Sequence, residues 1–275
     1  MDDCDDRAFD GTFSGNRDMM KQKIIIRAEN LSIGYEGKVI MRDLSFTIPK
    51  GDIFIIMGGS GCGKSTLLRT LTGLIAAQSG KIWIQDIDFI NARPKEKLEI
   101  MKHSGILYQS GALFSSMTLA ENVALPLQQY TDYSVDKISQ IVSFKLALVG
   151  LSGYEDYYPS EISGGMRKRA GLARALALDP EIVYFDEPSA GLDPVSSRNL
   201  DDLILEINRT LGTTIIVVTH ELASIFAIGK NSIFLDKTIK TISAKGNPNE
   251  LLKNPPNEQV FEFLTRGVKH EERTK

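Results

Sequence analysis

The stretch Gly58-Gly59-Ser60-Gly61-Cys62-Gly63-Lys64-Ser65-Thr66 decides how the rest of this chain reads. It matches G-x-x-x-x-G-K-[ST], and its flanks give that pattern physical meaning. Asp52-Ile53-Phe54-Ile55-Ile56-Met57 before it is a short apolar run of buried-strand character. Leu67-Leu68-Arg69-Thr70-Leu71 after it has leucines at helical spacing. Strand, glycine loop and helix in that order make a phosphate site. The glycines let successive backbone N–H groups converge on phosphate oxygens, and the helix N-terminus adds the positive end of its dipole. Lys64 is expected to reach the outer phosphates of a nucleoside triphosphate. The Ser65 hydroxyl is expected to ligate Mg²⁺, which takes oxygen ligands. Each hydrogen bond to a charged phosphate contributes roughly 1.5–3 kcal/mol, so several together support micromolar binding. A glycine-rich turn with an incidental lysine does not account for both flanks.

Two further stretches carry chemistry. Ile182-Val183-Tyr184-Phe185-Asp186-Glu187-Pro188 is an apolar strand ending in two acids. Beside a phosphate loop this is the Walker B arrangement, with Asp186 holding the metal through water and Glu187 placed to polarise an attacking water. A positioned base contributes ~10²–10⁴ in rate. Ser163-Gly164-Gly165-Met166 directly precedes the strongly helical run Arg167-Lys168-Arg169-Ala170-Gly171-Leu172-Ala173-Arg174-Ala175-Leu176-Ala177. Ser163 is a good N-cap, and the glycines permit close backbone approach to an anion. This makes a second phosphate-binding helix start on a chain whose first already cradles one nucleotide. The second is best explained if it faces a nucleotide held by another copy of the chain.

Composition narrows the class. The chain has 275 residues, 42% hydrophobic and 24% charged, with a formal net charge of −3. That suits one large α/β domain with appendages and argues against a dedicated nucleic-acid binder. No apolar run approaches a membrane-spanning length. The start, MDDCDDRAFDG, is acidic and lacks the apolar core of a secretory signal. Of two cysteines, Cys4 lies in this acidic stretch and Cys62 in the glycine loop, neither placed for a disulfide. Cys62 opens a helix, which lowers a thiol pKa, so alkylation there is expected to inhibit and bound nucleotide to protect.

Residues 1–23 read as a flexible acidic tail and 24–246 as the main domain, with a helical subdomain over about 110–178. Ile24–Ile33 and Leu44–Ile48 read as strands of a hairpin punctuated by Gly34 and Gly37. Lys81–Gln85 reads as another strand and Ile106–Gln109 as a strand end. From Thr118 to Leu178 helical periodicity dominates, interrupted at Pro126, Gly153 and Pro159. Ile182–Phe185 and Thr214–Val218 are continuous β-branched or aromatic runs, as in parallel strands buried on both faces.

Ser163–Met166 with its basic helix, followed by Phe185-Asp186-Glu187-Pro188, resembles the signature region of ATP-binding cassette (ABC) ATPases. The resemblance covers about Ile24 to Gly246. It implies an ABC nucleotide-binding fold: a RecA-like α/β core with an antiparallel β subdomain and a helical insertion. It also implies ATP and Mg²⁺ as cofactors. Tyr35 resembles the aromatic residue that stacks on adenine, and Gln109 the Q-loop glutamine that joins Ser65 and Asp186 at the metal. Ala190-Gly191-Leu192-Asp193 resembles the D-loop, bringing Asp193 to the nucleotide, and His220 resembles the switch histidine at the γ-phosphate. Met166 departs from the family's usual glutamine, and a thioether donates no hydrogen bond.

That departure, with Tyr108-Gln109-Ser110-Gly111-Ala112-Leu113-Phe114, resembles the ATPases of Mce-type lipid transporters of the Mla kind. Those move phospholipid between the inner and outer membranes of Gram-negative bacteria. The resemblance implies a head-to-tail pair of chains clamping two ATP molecules. It further implies a separate membrane permease, Mce-type lipid-binding and small accessory subunits, no nucleic-acid partner, and a peripheral position on the cytoplasmic face of the inner membrane. Residues 247–275 resemble a helical extension that packs on the neighbouring ATPase, although an amphipathic helix folded on its own domain fits the same residues. Leu113, Phe114 and Leu119 form a candidate docking groove, with core packing as the other reading. The alternative function is the ATPase of an importer for another small solute, which shares every catalytic motif.

Overall fold

The computed structural model describes residues 23–35 and 37–267. Its first half contains Ile24–Tyr35 (β1), Lys38–Pro49 (β2), Ile53–Met57 (β3), Lys64–Leu71 (α1), Ser79–Ile84 (β4), Ile87–Asp88 (β5), Pro94–Lys102 (α2), Ser104–Leu107 (β6), Leu119–Tyr130 (α3) and Val135–Leu148 (α4). The second half contains Gly164–Ala175 (α5), Ile182–Asp186 (β7), Pro194–Leu211 (α6), Thr214–Val218 (β8), Leu222–Ile228 (α7), Asn231–Asp236 (β9), Thr241–Gly246 (β10), Pro248–Lys253 (α8) and Glu258–Leu264 (α9). The acidic tail expected over residues 1–23 lies outside the described residues apart from Lys23, and so does everything after Gly267.

Two sheets form. One is antiparallel, in the order β2-β1-β4-β5; the other runs β10-β9-β3-β8-β7-β6 and is parallel except for the β9–β10 pair. Every residue of β3, β7 and β8 is buried, which is why these strands read as unbroken apolar runs. The pleat divides them between two cores. Ile53, Ile55, Met57, Val183, Phe185, Ile215 and Val217 enter one core, shared with α3 to α9. Phe54, Ile56, Ile182, Tyr184, Ile216 and Val218 enter the other, shared with α1 and the antiparallel sheet. The parallel sheet is thus the middle layer, and its C-terminal edge presents the loops that follow β3, β7 and β8. The hairpin, α/β core and helical insertion match the architecture expected from sequence.

The structure changes some local readings. Pro126 does not interrupt α3, which runs through it. A proline there removes one helical hydrogen bond, a loss offset by burying Val123, Ala124 and Leu127 against the core. Thr118 and Glu121 start the helix as a reciprocal capping box. The fully buried Asn122 exchanges hydrogen bonds with Phe114 backbone N–H (2.8 Å) and C=O (3.1 Å), fixing the segment before α3. Leu119 is a core residue, so the expected docking groove loses it. Phe114 remains 51% exposed, while Leu113 is half-buried against the core. α8 and α9 pack on their own domain through Leu251, Val260, Phe261 and Leu264. Among the described residues no helix is long and apolar enough to cross a membrane.

Candidate functional site

The loop between β3 and α1 wraps a cavity of about 560 Å³ lined by Gly58–Thr66 together with Ile40, Gln109, Glu187, His220 and Phe263. Two glycines are required by geometry. Gly58 has φ +149°, and a Cβ there would meet the Leu235 carbonyl oxygen at 2.5 Å. Gly63, with φ +93°, is the residue from which α1 starts, and its Cβ would strike Ile40 at 2.9 Å. Any side chain at either position would displace the loop from β9 or from β2. Lys64 is almost fully buried, and its Nζ donates to the Gly58 (3.0 Å) and Gly59 (3.2 Å) carbonyls, holding the cation across the loop mouth.

The acids arrive from β7. Ser65 Oγ donates to Asp186 Oδ1 at 2.9 Å, so the two expected metal ligands meet, Ser65 in the cavity lining and the buried Asp186 outside it. Gln109 lines the same cavity. This donor set suits a hard cation held by one or two protein oxygens and completed by phosphates and water. Among the described residues no cluster of His, Cys, Asp and Glu would hold a metal without the nucleotide.

Glu187 sits at φ +51°, a left-handed conformation costing of order 1–3 kcal/mol in a non-glycine residue. Its backbone N–H donates to Val218 C=O at 2.8 Å, which holds that strained turn against β8. Its Oε1 lies 2.8 Å from His220 Nδ1, and its Oε2 is buried with no protein partner. Glu187 also lines the phosphate-loop cavity, a place from which a carboxylate can serve as a general base.

A family model described as ABC transporter matches residues 41–190, more than half of the 275-residue chain. This chain belongs to the ABC transporter family. It is 39% identical over 248 residues to the intermembrane phospholipid transport ATP-binding protein MlaF of Escherichia coli K12, covering 89% of this chain and 91% of that one. It is 38% identical to MlaF of Haemophilus influenzae, covering 87% and 90% of the two chains. It is also 47% identical over 199 residues to the probable ribonucleotide transport ATP-binding protein mkl of Mycobacterium tuberculosis. That match covers 72% of this chain and spans only 55% of the mycobacterial protein's length. Among solved structures it resembles a dimeric ATP-binding cassette in a post-hydrolysis state with ADP and Pi, at 26% identity and TM-score 0.73, covering 81% of this chain and 98% of that one. It also resembles cbiO1 of Clostridium perfringens, part of an ABC transporter complex, at 25% identity and TM-score 0.78, covering 92% and 100% of the chains.

Other expected ABC residues lie away from the cavity. Ser163 caps α5, accepting from Met166 N–H at 3.2 Å. Ser163 and Gly164 are exposed, Gly165 is half-buried beside Ser196 and Leu192, and none of the three lines the phosphate-loop cavity of their own chain. Met166, where the family usually has glutamine, packs against the apolar core of the insertion. Asp193 acts within the chain as the N-cap of α6, accepting from Val195 and Ser196 N–H at 3.0 Å; the Ser196 side chain foremost, with these backbone bonds, holds its pKa below the usual carboxylate range. Tyr35 stands outside the lining, with its hydroxyl 3.4 Å from Thr66 Oγ1.

The expectation for Cys62 needs correction. The thiol is 1% exposed, and burial raises its pKa, outweighing the lowering effect of nearby Lys64. A helix N-terminus activates a thiol only where the thiolate is solvated.

Sequence reading also missed two positions. Lys168 looks like one more cation on a basic helix. Its ammonium is buried and donates to the carbonyls of Pro188 (2.5 Å) and Ala190 (2.6 Å), tying the signature helix to the turn after Glu187. Burial lowers its pKa. Phe263, on α9, enters the cavity lining from more than forty residues beyond His220, the last of the motif residues there, and no local pattern signals that.

Proposed function

We propose that this chain is the ATP-hydrolysing subunit of a membrane transporter that moves phospholipid between bacterial inner and outer membranes. The observation that carries the ATPase reading is the division of the site. Lys64, Ser65, Gln109, Glu187 and His220 line one cavity, while Ser163–Gly165 lie outside it at an exposed helix start. A second copy placed head to tail supplies the missing wall, with Asp193 beside the signature at the seam.

In that arrangement Lys64 and the loop N–H groups orient the triphosphate of ATP. Ser65, Asp186 and Gln109 are the residues that would hold Mg²⁺, which would offset charge on the outer phosphates. Glu187 takes the proton of the attacking water. His220 holds the carboxylate through Oε1 and contacts the γ-phosphate. Loss of that phosphate weakens the clamp. The opening passes through the Gln109 turn, which Arg174 of α5 grips at the Ala112 (2.8 Å) and Gly111 (3.2 Å) carbonyls. Tyr35 stacks on adenine at the open rim.

The lipid substrate is supported by the phospholipid-transport relatives, which match over about nine-tenths of both chains. In this reading the chain works as a pair, peripherally, on the cytoplasmic face of the inner membrane. It binds a separate permease together with Mce-type and small accessory subunits. The test is purification of the complex from membranes with identification of its subunits and bound lipids by mass spectrometry. Phospholipid and a lipid-binding partner support the reading, whereas a solute-binding protein or a bound nucleotide cargo would replace it with an importer for another solute.

A further inference from the structure

α9 packs on β9, the neighbour of the strand that carries the phosphate loop. The Phe263 ring meets Phe234 of β9 edge-on, with centroids 5.1 Å apart and planes at 70°. One turn earlier, the Gln259 amide bridges Asp236 and the Thr238 hydroxyl just past the end of β9. Val260, Phe261 and Leu264 bury the rest of the helix.

β9 in turn supports the loop. Phe234 pairs with Met57, the last residue of β3, and the Leu235 carbonyl occupies the space where a Gly58 side chain would be. Phe263 also touches the site directly. It is half-buried and lines the nucleotide cavity and, on its other side, a second cavity of about 280 Å³ that shares Gly59 with the first. Gly59 has no side chain, and a Cβ built there would meet nothing within 4 Å. Phe263 thus brings an aromatic ring from the C-terminal helix into the lining of both cavities that Gly59 borders.

We propose that Phe263 is a positioning residue of the nucleotide site, and that docking of α9 on the end of β9 sets the phosphate loop for ATP. This rests on the ATPase reading above. The ring adds an apolar surface to the cavity that holds the loop, against which a bound nucleotide packs. It also keeps the loop's first peptides seated on β9. Phe263 contributes no proton or metal contact, so its effect falls on nucleotide binding and spares the chemical step.

The test uses the full chain, with binding read by titration of fluorescent TNP-ATP and competition by ATP. Turnover is measured in the assembled complex. Phe263→Ala is expected to raise the ATP Kd and KM about tenfold with kcat within twofold, and Phe263→Leu to recover most of the affinity. Thermal unfolding is followed on the same samples, with Leu251→Ala in α8 as a variant of matched stability loss remote from the loop. ATP affinity within twofold of the parent in Phe263→Ala overturns the proposal. So does an equal affinity loss in Leu251→Ala, which would make the effect one of stability alone. Lys64→Ala separates the two levels. If it fails to weaken ATP binding, the phosphate-loop reading itself falls; if it weakens binding and Phe263→Ala does not, only this inference falls.

Discussion

His220 Nδ1 and Glu187 Oε1, 33 residues apart in sequence, stand 2.8 Å apart at the mouth of the phosphate-loop cavity. The histidine closes β8 and the glutamate closes β7, and those strands are adjacent and parallel in register, with Asp186 opposite Val218. The contact anchors one carboxylate oxygen of Glu187, and the other is buried without a partner.

Glu187→Gln should therefore lower ATP turnover by ~10²–10⁴ while leaving ATP affinity unchanged and favouring the paired, ATP-bound state. Steady-state phosphate release together with size-exclusion chromatography in ATP checks both effects. Near-normal turnover would remove Glu187 as the base.

Cys62 should resist alkylation in the folded protein, with a rate well below that of a free cysteine at neutral pH, because its thiol is buried and its pKa raised. Mass spectrometry after timed iodoacetamide treatment, native and denatured, gives the comparison. Rapid native labelling at Cys62 would restore the activated-thiol expectation.

Asp201 makes stability depend on pH. Burial foremost, with the Asp202 charge adding to it, raises its pKa from 3.8 to about 6, against the opposing hydrogen bond from Ser224. Between those values the folded state keeps a proton that the unfolded chain has released. The contribution is thus fully present below about pH 4 and lost as pH rises through about 6. Asp201→Asn, which keeps an acceptor for Ser224, should flatten the Tm-against-pH curve over that window. An unchanged curve would move the effect to other groups.

Gly171 should not tolerate alanine, although alanine is the better helix former by roughly 1 kcal/mol. A Cβ there would lie 2.9 Å from both the Gly111 carbonyl and Leu107. Gly171→Ala is expected to cost about 1–3 kcal/mol in denaturant unfolding through overpacking, and to reduce turnover more than ATP binding by displacing the Gln109 turn. A stability gain would show that the turn moves aside freely.

Much of the site was legible because its parts are local. The loop with its flanking strand and helix, the acids at the end of β7 and the serine opening α5 are each set by residues within a few positions of one another. Glycine freedom, strand periodicity and helix capping act over that range. The pairing of the parts was not legible. Nothing around Leu119 distinguishes a docking residue from a core residue, and Cys62 reads as an activated thiol until the packing of β3, α1 and β9 encloses it. Pro126 looked like a break because the burial that offsets its lost hydrogen bond comes from helices elsewhere in the chain.

The sequence by itself determined that a glycine loop stands between a buried strand and a helix, that a serine followed by two glycines opens a second helix, and that a buried strand ends in two acids. The tertiary structure decided which groups meet: Ser65 with Asp186, Glu187 with His220, Lys168 with the turn after the acids, and Phe263 with the phosphate loop. Each of those contacts depends on the order of strands in the sheet and on which core a helix enters. Those are outcomes of global packing, in which residues far apart compete to bury apolar surface, and local pattern does not encode them.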